Sequence, residues 1–340
     1  MIAACRLAML SLLILSKSMT TLARAQIELQ PTQELAVPNQ PGSHVIMSPV
    51  KCDTAGALYM QLPDPKHFLA GPLLKISSDG KDVVRYSLDS VPDIKEVAVM
   101  DFAVGSTGEV YFLVSSNGNA YVLRFDRDGT YDSTIRLRQD FAPSRIGIFG
   151  TGDLFISGMK TRSAASSQRA PASALVSSQG EVLKYIMLRR DLKSSARQKQ
   201  KWSSQLNDRD FEQAVTGSFI ESVDDGNVYV ARRTPKGPIF VVSPSGALVR
   251  TISLKPPTNA ELSDIRVSHG RIAAMFVRKG GSGGIERVIF SVIDASTGRA
   301  IAEYYHSSAS LGAALACYVP NTFTFLASDE SLRIIRAEPQ

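Results

Sequence analysis

The fold is decided by the stretch Gly226-Asn-Val-Tyr-Val230, Ile239-Phe-Val-Val-Ser-Pro-Ser-Gly246 and Leu248-Val-Arg-Thr-Ile-Ser-Leu254. These three runs are rich in β-branched and aromatic residues, and polar turn residues separate them. Gly246 can adopt the positive φ of a tight hairpin, and the serines before it suit the turn. The stretch therefore predicts consecutive antiparallel strands joined by short hairpins.

The same pattern recurs along the chain. The hairpin glycine occurs five times, at spacings of 49, 51, 66 and 52 residues, and a run with an aromatic or bulky centre precedes each copy. A weaker sixth copy of that run covers residues 321–326. Two hairpins per repeat give four strands, and a four-stranded unit of about this period is typical of a propeller blade. The hairpin glycines are Gly80, Gly129, Gly180, Gly246 and Gly298.

The motif Gly-x-Val-Tyr-Val, followed by an apolar run and Asp-x-x-Gly, resembles NHL-repeat and TolB-like propellers over most of the chain. The resemblance implies an all-β fold, a six-bladed β-propeller of four-stranded blades. The last unit offers only three strands, so we predict that an N-terminal strand at 26–36 supplies the fourth and closes the ring. We place the blades at about 45–90, 97–138, 143–188, 215–254, 262–305 and 312–337, with a polar insertion at 189–213.

The first 25 residues are typical of a secretory signal peptide. Arg6 precedes an apolar run at 7–15, and Ala23-Arg24-Ala25 forms a small-x-small cleavage site before Gln26. The apolar run is short for a membrane span, although an uncleaved anchor is the alternative. We predict a signal peptide at 1–25 and a single soluble propeller domain at 26–340, in the periplasm or outside the cell.

Two cysteines follow the signal peptide, Cys52 and Cys317. An oxidising compartment permits a disulfide between them. The repeat places both on the innermost strands of the first and last blades, which are neighbours if six units close into a ring. Equivalent positions on adjacent blades are usually too far apart for a disulfide, so two buried free thiols are the alternative.

The predicted strand order sorts the charges onto two faces. One face, the loop face, carries the connections between the second and third strands of a unit and between units; its formal charge is about +7. The opposite hairpin face sums to about −8. We predict that the loop face binds an acidic ligand, which would be a protein, a polysaccharide or a small anion. The alternative is that Asp suits hairpins and cations solvate long loops. The candidate residues are Lys160, Arg162, Arg189, Arg190, Trp202, Arg232, Arg233, Lys236, Arg278 and Lys279.

The sequence offers no readable catalytic constellation. The four histidines fall at unrelated repeat positions, which argues against a histidine metal cluster. The acidic run at 126–132 coincides with a hairpin turn and lacks the remaining ligands of a calcium loop. We therefore predict a monomeric, non-enzymatic binding protein without a cofactor, a membrane span or a nucleic-acid partner. The alternative is a hydrolase or lyase, similar to lactonase-like propellers, with a metal in the central channel.

Overall fold

The computed structural model describes residues 26–37, 47–64, 68–92, 94, 97–163, 166–188, 215–233, 237–280, 284–306, 311, 314–328 and 332–340. Within these residues the chain is almost entirely β-sheet, with two 3-10 turns at Phe68–Ala70 and Leu88–Ser90. No helix in the described part of the chain is long and apolar enough to cross a membrane.

Four sheets share one topology, in which four consecutive strands pair antiparallel in chain order. Sheet 1 consists of β2 Met47–Cys52, β3 Leu58–Gln61, β4 Leu73–Ile76 and β5 Val83–Tyr86. Sheet 2 consists of β6 Ala98–Val104, β7 Val110–Ser116, β8 Asn119–Phe125 and β9 Tyr131–Arg136. Sheet 3 consists of β10 Ala142–Ile148, β11 Leu154–Ser163, β12 Ser166–Val176 and β13 Val182–Tyr185. Sheet 4 consists of β14 Phe219–Ser222, β15 Val228–Ala231, β16 Ile239–Val242 and β17 Leu248–Ile252.

A fifth sheet has eight strands, and the N-terminal strand β1 Ile27–Ala36 lies in its middle. β1 pairs antiparallel with the last strand of the chain over residues 29–36, as the sequence predicted, and it pairs parallel with β21 only at Ile27 and Glu28. One half of this sheet consists of β18 Ala260–Ser268, β19 Arg271–Lys279, β20 Ile285–Asp294 and β21 Ala300–His306. The other half consists of β22 Ala314–Val319, β23 Thr322–Ser328 and β24 Leu332–Pro339.

The sheets are arranged like the blades of a propeller. Their first strands touch one another in a closed cycle, in the order β2, β6, β10, β14, β18, β22 and back to β2. Among the described residues, six apolar clusters fill the spaces between neighbours around this cycle. The apolar side chains of each sheet therefore pack against those of the sheets on either side.

Two of the repeated hairpin glycines are required for the packing between sheets as well as for the turns. Gly180 has a φ of +88°, and a Cβ at this position would lie 2.1 Å from the carbonyl oxygen of Arg136 on the preceding sheet. Gly129 has the same φ, and its Cβ would lie 2.7 Å from the carbonyl oxygen of Arg85. Both hairpins therefore press against the outer strand of their neighbour at a distance that only glycine allows.

Cys52 on β2 and Cys317 on β22 form a disulfide, with their Cα atoms 5.4 Å apart and 265 residues between them in sequence. This separation lies within the range that a disulfide spans. The two cysteines meet because the first strands converge at the centre of the cycle, so the disulfide joins the first sheet to the last one.

We predict that deletion of residues 26–36 lowers the melting temperature by several degrees, measured by circular dichroism. β1 adds backbone hydrogen bonds along β24 and buries Leu29, which is 2% exposed. Leu29→Ala alone should cost about 2–5 kcal/mol. The control is Glu34→Ala, which removes an exposed ion pair with Arg333 and should cost less than about 1 kcal/mol. An unchanged melting temperature after the deletion would contradict this role of β1.

Candidate functional site

Charged side chains meet at the centre of the cycle of first strands. We call this group the central girdle. Each of these charged residues is next to an apolar residue on its strand, so the strand that packs in the interior places the charged side chain there as well. The central girdle consists of Lys51 on β2, Asp101 on β6, Arg145 on β10, Glu221 on β14, and Asp264 and Arg266 on β18.

Local irregularities in the first strands place several of these residues. The register of β6 shifts just before Asp101, that of β10 just before Arg145, and that of β18 just before Asp264. An extra residue in a strand redirects the side chains beside it. The shifts therefore turn charged side chains away from the alternation that apolar packing would impose.

Arg266 ties three first strands together. The residue is only 3% exposed. Nε donates to the carbonyl oxygen of Ala316 at 3.0 Å, and Nη2 donates to those of Val50 at 2.8 Å and Leu315 at 2.7 Å. One side chain on β18 thus satisfies backbone acceptors on β22 and β2, which are the last and the first strands of the cycle.

Two carboxylates balance the charge of Arg266. Nη1 donates to Asp264 Oδ1 at 2.7 Å and to Glu221 Oε1 at 3.4 Å. Burial raises the pKa of Glu221 to about 7, although Arg266 and Lys51 lower it. Burial likewise raises the pKa of Asp264. Glu221 therefore changes its charge near neutral pH inside the structure.

The other half of the central girdle links sheets 1 to 4. Lys51 Nζ lies 3.7 Å from Asp101 Oδ1, and the second oxygen of Asp101 accepts a hydrogen bond from the backbone N–H of Ile146 at 2.9 Å. Arg145 Nε donates to the carbonyl oxygen of Ser218 at 3.1 Å. Formally the central girdle holds three cations and three carboxylates, so it is neutral as a whole when Glu221 is ionised. Buried charges are tolerated when they are paired in this way.

A funnel with a cavity volume of about 80 Å³ lies at the hairpin-face ends of the first strands. It is lined by strand ends and by the first hairpins of several sheets, with Cys52 among the lining residues. Its acidic and hydroxyl side chains are Asp53, Thr54, Ser106, Glu109, Ser222, Asp224 and Ser268. This funnel therefore opens on the acidic hairpin face and not on the basic loop face.

Two of the funnel carboxylates serve their own turns. Asp53 Oδ1 accepts hydrogen bonds from the N–H groups of Ala55 and Ala57 at 3.0 and 2.9 Å, and Oδ2 accepts one from the Tyr59 hydroxyl at 3.2 Å. Glu109 folds over Gly105, where an added Cβ would lie 2.3 Å from the carboxylate carbon. The acidity of this face thus arises largely from turn chemistry. Within the described residues, no group of three or more His, Cys, Asp or Glu side chains is placed to hold a metal ion.

Arg232 does not belong to an exposed loop face, and that prediction was wrong. Its side chain is 5% exposed. It donates to the hydroxyls of Ser218 at 3.0 Å and Ser157 at 3.2 Å, and Ser173 lies 3.5 Å away. Arg232 directly follows β15, so its long side chain reaches inward to hydroxyls that bridge sheets 3 and 4. No local sequence pattern indicates that these serines, which are far apart along the chain, converge.

The other described loop-face residues lie at the surface or near it. Lys160 pairs with Asp140, whose pKa is lowered by its hydrogen bonds from Lys160 and from the Tyr185 hydroxyl. Lys279 lies 3.5 Å from Glu261, and the side chains of this pair are well exposed. Such surface pairs contribute little and are screened by salt.

Two neighbouring corners of the loop face carry basic residues. Arg233 is exposed just after β15, and Arg278 and Lys279 end β19 on the next sheet. Both strands are the second of their unit, so they end on the same face. Arg162 lies on β11, but its side chain is outside the described part, and the following candidates lie wholly outside the described residues: Arg189, Arg190, Trp202 and Lys236.

Comparison with solved structures shows a shared fold. A candidate exported protein from Bacteroides fragilis is 12% identical, with a TM-score of 0.53, and the match covers 94% of this chain and 98% of that one. A protein of unknown function from Dyadobacter fermentans is also 12% identical with a TM-score of 0.53, covering 92% and 99%. Virginiamycin B lyase from Staphylococcus aureus is 16% identical with a TM-score of 0.47, covering 92% and 100%. That lower score supports no argument about this chain.

No family model matches the sequence. No curated protein matches it either. At 12% identity the two bacterial structures establish the fold and leave the activity open.

We predict that the free energy of unfolding falls as the pH rises from about 5 to 8. The folded pKa of Glu221, about 7, lies above the ordinary value of 4.5, so the folded state binds the extra proton in this window. The stability from this group is full below the ordinary pKa and is lost as the pH rises through 7, by roughly 3 kcal/mol. Urea denaturation at several pH values measures this free energy of unfolding. Glu221→Gln should flatten the profile, and an equal slope in both proteins would contradict the assignment.

Proposed function

We propose that this chain is an exported, non-enzymatic binding protein built on a six-bladed propeller of the NHL-repeat or TolB-like kind. Support for six blades comes from the cycle of six first strands, in which the eight-stranded sheet counts as two blades that share β1. The sequence pattern of residues 1–25, which lie outside the described residues, supports export through cleavage before Gln26.

The central girdle favours binding over catalysis. The alternative function is that of a lactonase-like hydrolase or lyase, in which carboxylates in the central channel would bind a metal. Here each central carboxylate has a cationic partner within the ring: Asp101 has Lys51, and both Asp264 and Glu221 have Arg266. These carboxylates hold strands together, so they are poorly placed to release their cations for a metal.

The loop face is the proposed binding surface, and its ligand is anionic. The basic corners at Arg233 and at Arg278 and Lys279 stand on neighbouring sheets. Arg233 and Lys279 are exposed and Arg278 is partly exposed, which allows contact with one extended ligand. The pair of Lys279 with Glu261 is weak enough to be displaced by a better acceptor. A carboxylate, sulfate or phosphate group accepts hydrogen bonds from guanidinium and ammonium groups in the same way.

We predict that the protein binds a polyanion such as heparin, and that the combined change of Arg233→Ala, Arg278→Ala and Lys279→Ala weakens binding at least tenfold. Calorimetry at two salt concentrations measures the affinity. A ligand that is bound mainly by charge loses affinity as the salt concentration rises. The matched control is Asp224→Asn on the hairpin face, which should leave the affinity within about twofold of wild type, since it lies on the opposite face.

Equal affinity in the triple variant and wild type would contradict the assignment to the loop face. Metal analysis of the purified protein tests the non-enzymatic part separately. A tightly held metal at one equivalent per chain would contradict it and favour the metal-dependent alternative.

A further inference from the structure

We propose that the outer edge of β24 is a strand-acceptor site, which holds the chain's own β1 and can exchange it for the β1 segment of a second copy of this chain. This acceptor site lies at the rim of the propeller and is independent of anion binding at the loop face. Exchange of β1 between two copies would give a strand-exchanged dimer.

The attachment of β1 to β24 consists mainly of backbone pairing. The pairing runs from Leu29 opposite Pro339 to Ala36 opposite Arg333. Leu29 is the one fully buried side chain within the strand, and residues 31–34 are exposed. Leu35 and the adjoining Val37 pack into a second apolar cluster. Binding of this kind, in which the backbone gives affinity and a few apolar side chains give register, is how sheets accept an added peptide strand.

The polar side-chain contacts of β1 with β24 are weak ones. Glu34 accepts a hydrogen bond from Arg333 at 2.8 Å, and Gln33 accepts one from Arg336 at 2.7 Å. Both contacts lie at the surface, where water and salt compete with them. They would not hold β1 if the backbone pairing opened.

The ring stays closed at its centre when β1 leaves the rim. The disulfide between Cys52 and Cys317 joins the same two sheets covalently. Arg266 bridges the carbonyl groups of Val50 on β2 and Leu315 on β22. The apolar cluster between these sheets contains Met60 of sheet 1 with Leu326 and Ile334 of the last strands, and the β1 segment contributes only Leu35 and the adjoining Val37 to it. Detachment of β1 is therefore a local opening, which costs less than unfolding of the whole protein.

The occupant must resemble β1 itself. The site needs an extended segment with an apolar residue where Leu29 inserts, and the cluster around Leu29 includes Phe323, Phe325 and Ala337 of the acceptor strands. A second copy supplies the same segment in the same register. The short link at 38–46 gives the chain's own strand a high effective concentration, so the monomer prevails when the protein is dilute and the exchanged dimer forms as it is concentrated.

The experiment uses the full-length oxidised protein with a protease site placed within residues 38–46, so that cleavage leaves β1 bound without a covalent link. A fluorescent synthetic peptide covering 26–37 is the probe. We expect it to replace the cleaved strand, with a rise in fluorescence polarisation, while circular dichroism stays native. A Leu29→Asp peptide should bind at least thirtyfold more weakly, because it places a charge in the apolar cluster. The control peptide Glu34→Gln should bind within about fivefold.

The uncleaved full chain tests the second copy as occupant. Light scattering across a concentration series should show a monomer that gives way to a dimer, and Leu29→Asp should abolish the dimer. Absence of peptide exchange, or loss of native structure when the cleaved strand departs, would overturn the acceptor site. Peptide exchange without a dimer at any concentration would overturn the second copy as the occupant. None of these outcomes depends on anion binding, which is measured separately.

Discussion

The arrangement depends most on one buried cation. Arg266 sits where six first strands converge, and it cannot lose its proton, so its charge must be met inside the protein. Two carboxylates and four backbone carbonyl groups meet it, and these partners come from β14, β18, β22 and β2. Because the partners belong to different sheets, neutralising the charge also fixes the distances between those sheets at the centre.

Two sets of contacts close the ring, one near its axis and one at its rim. Near the axis, Arg266 and the disulfide of Cys52 with Cys317 join the last sheet to the first. At the rim, β1 covers the edge of β24 and touches β21. The inner closure is made of buried and covalent contacts, whereas the outer one is mostly backbone pairing beside exposed side chains. The two closures therefore differ in how readily they open, and only the outer one is suited to exchange with another strand.

The sequence predicted the parts of the fold that follow from local chemistry. Hairpin glycines such as Gly180 recur because a turn needs positive φ. The segment at 26–36 has no partner strand next to it in sequence, and the last unit lacks a fourth strand, so their pairing could be predicted. The sequence did not predict the central girdle, because single charged residues in separate strands, such as Asp101 and Glu221, do not indicate a shared site. Their convergence depends on strand shifts that no local pattern reveals. The visible signal was at least one charged residue inside five of the six first strands. Arg232 shows the same limit, since two of the hydroxyls that surround it, those of Ser157 and Ser173, lie on the neighbouring sheet.

The central claim is that Arg266 holds the ring together, and Arg266→Met tests it most directly by urea denaturation of the oxidised protein near neutral pH. The substitution keeps much of the side-chain length but leaves buried carboxylates and carbonyl groups without their donor, so the free energy of unfolding should fall by about 3–5 kcal/mol. Arg233→Met is the matched control at the surface and should change it by less than about 0.5 kcal/mol. A loss in Arg266→Met no larger than that in Arg233→Met would contradict the account.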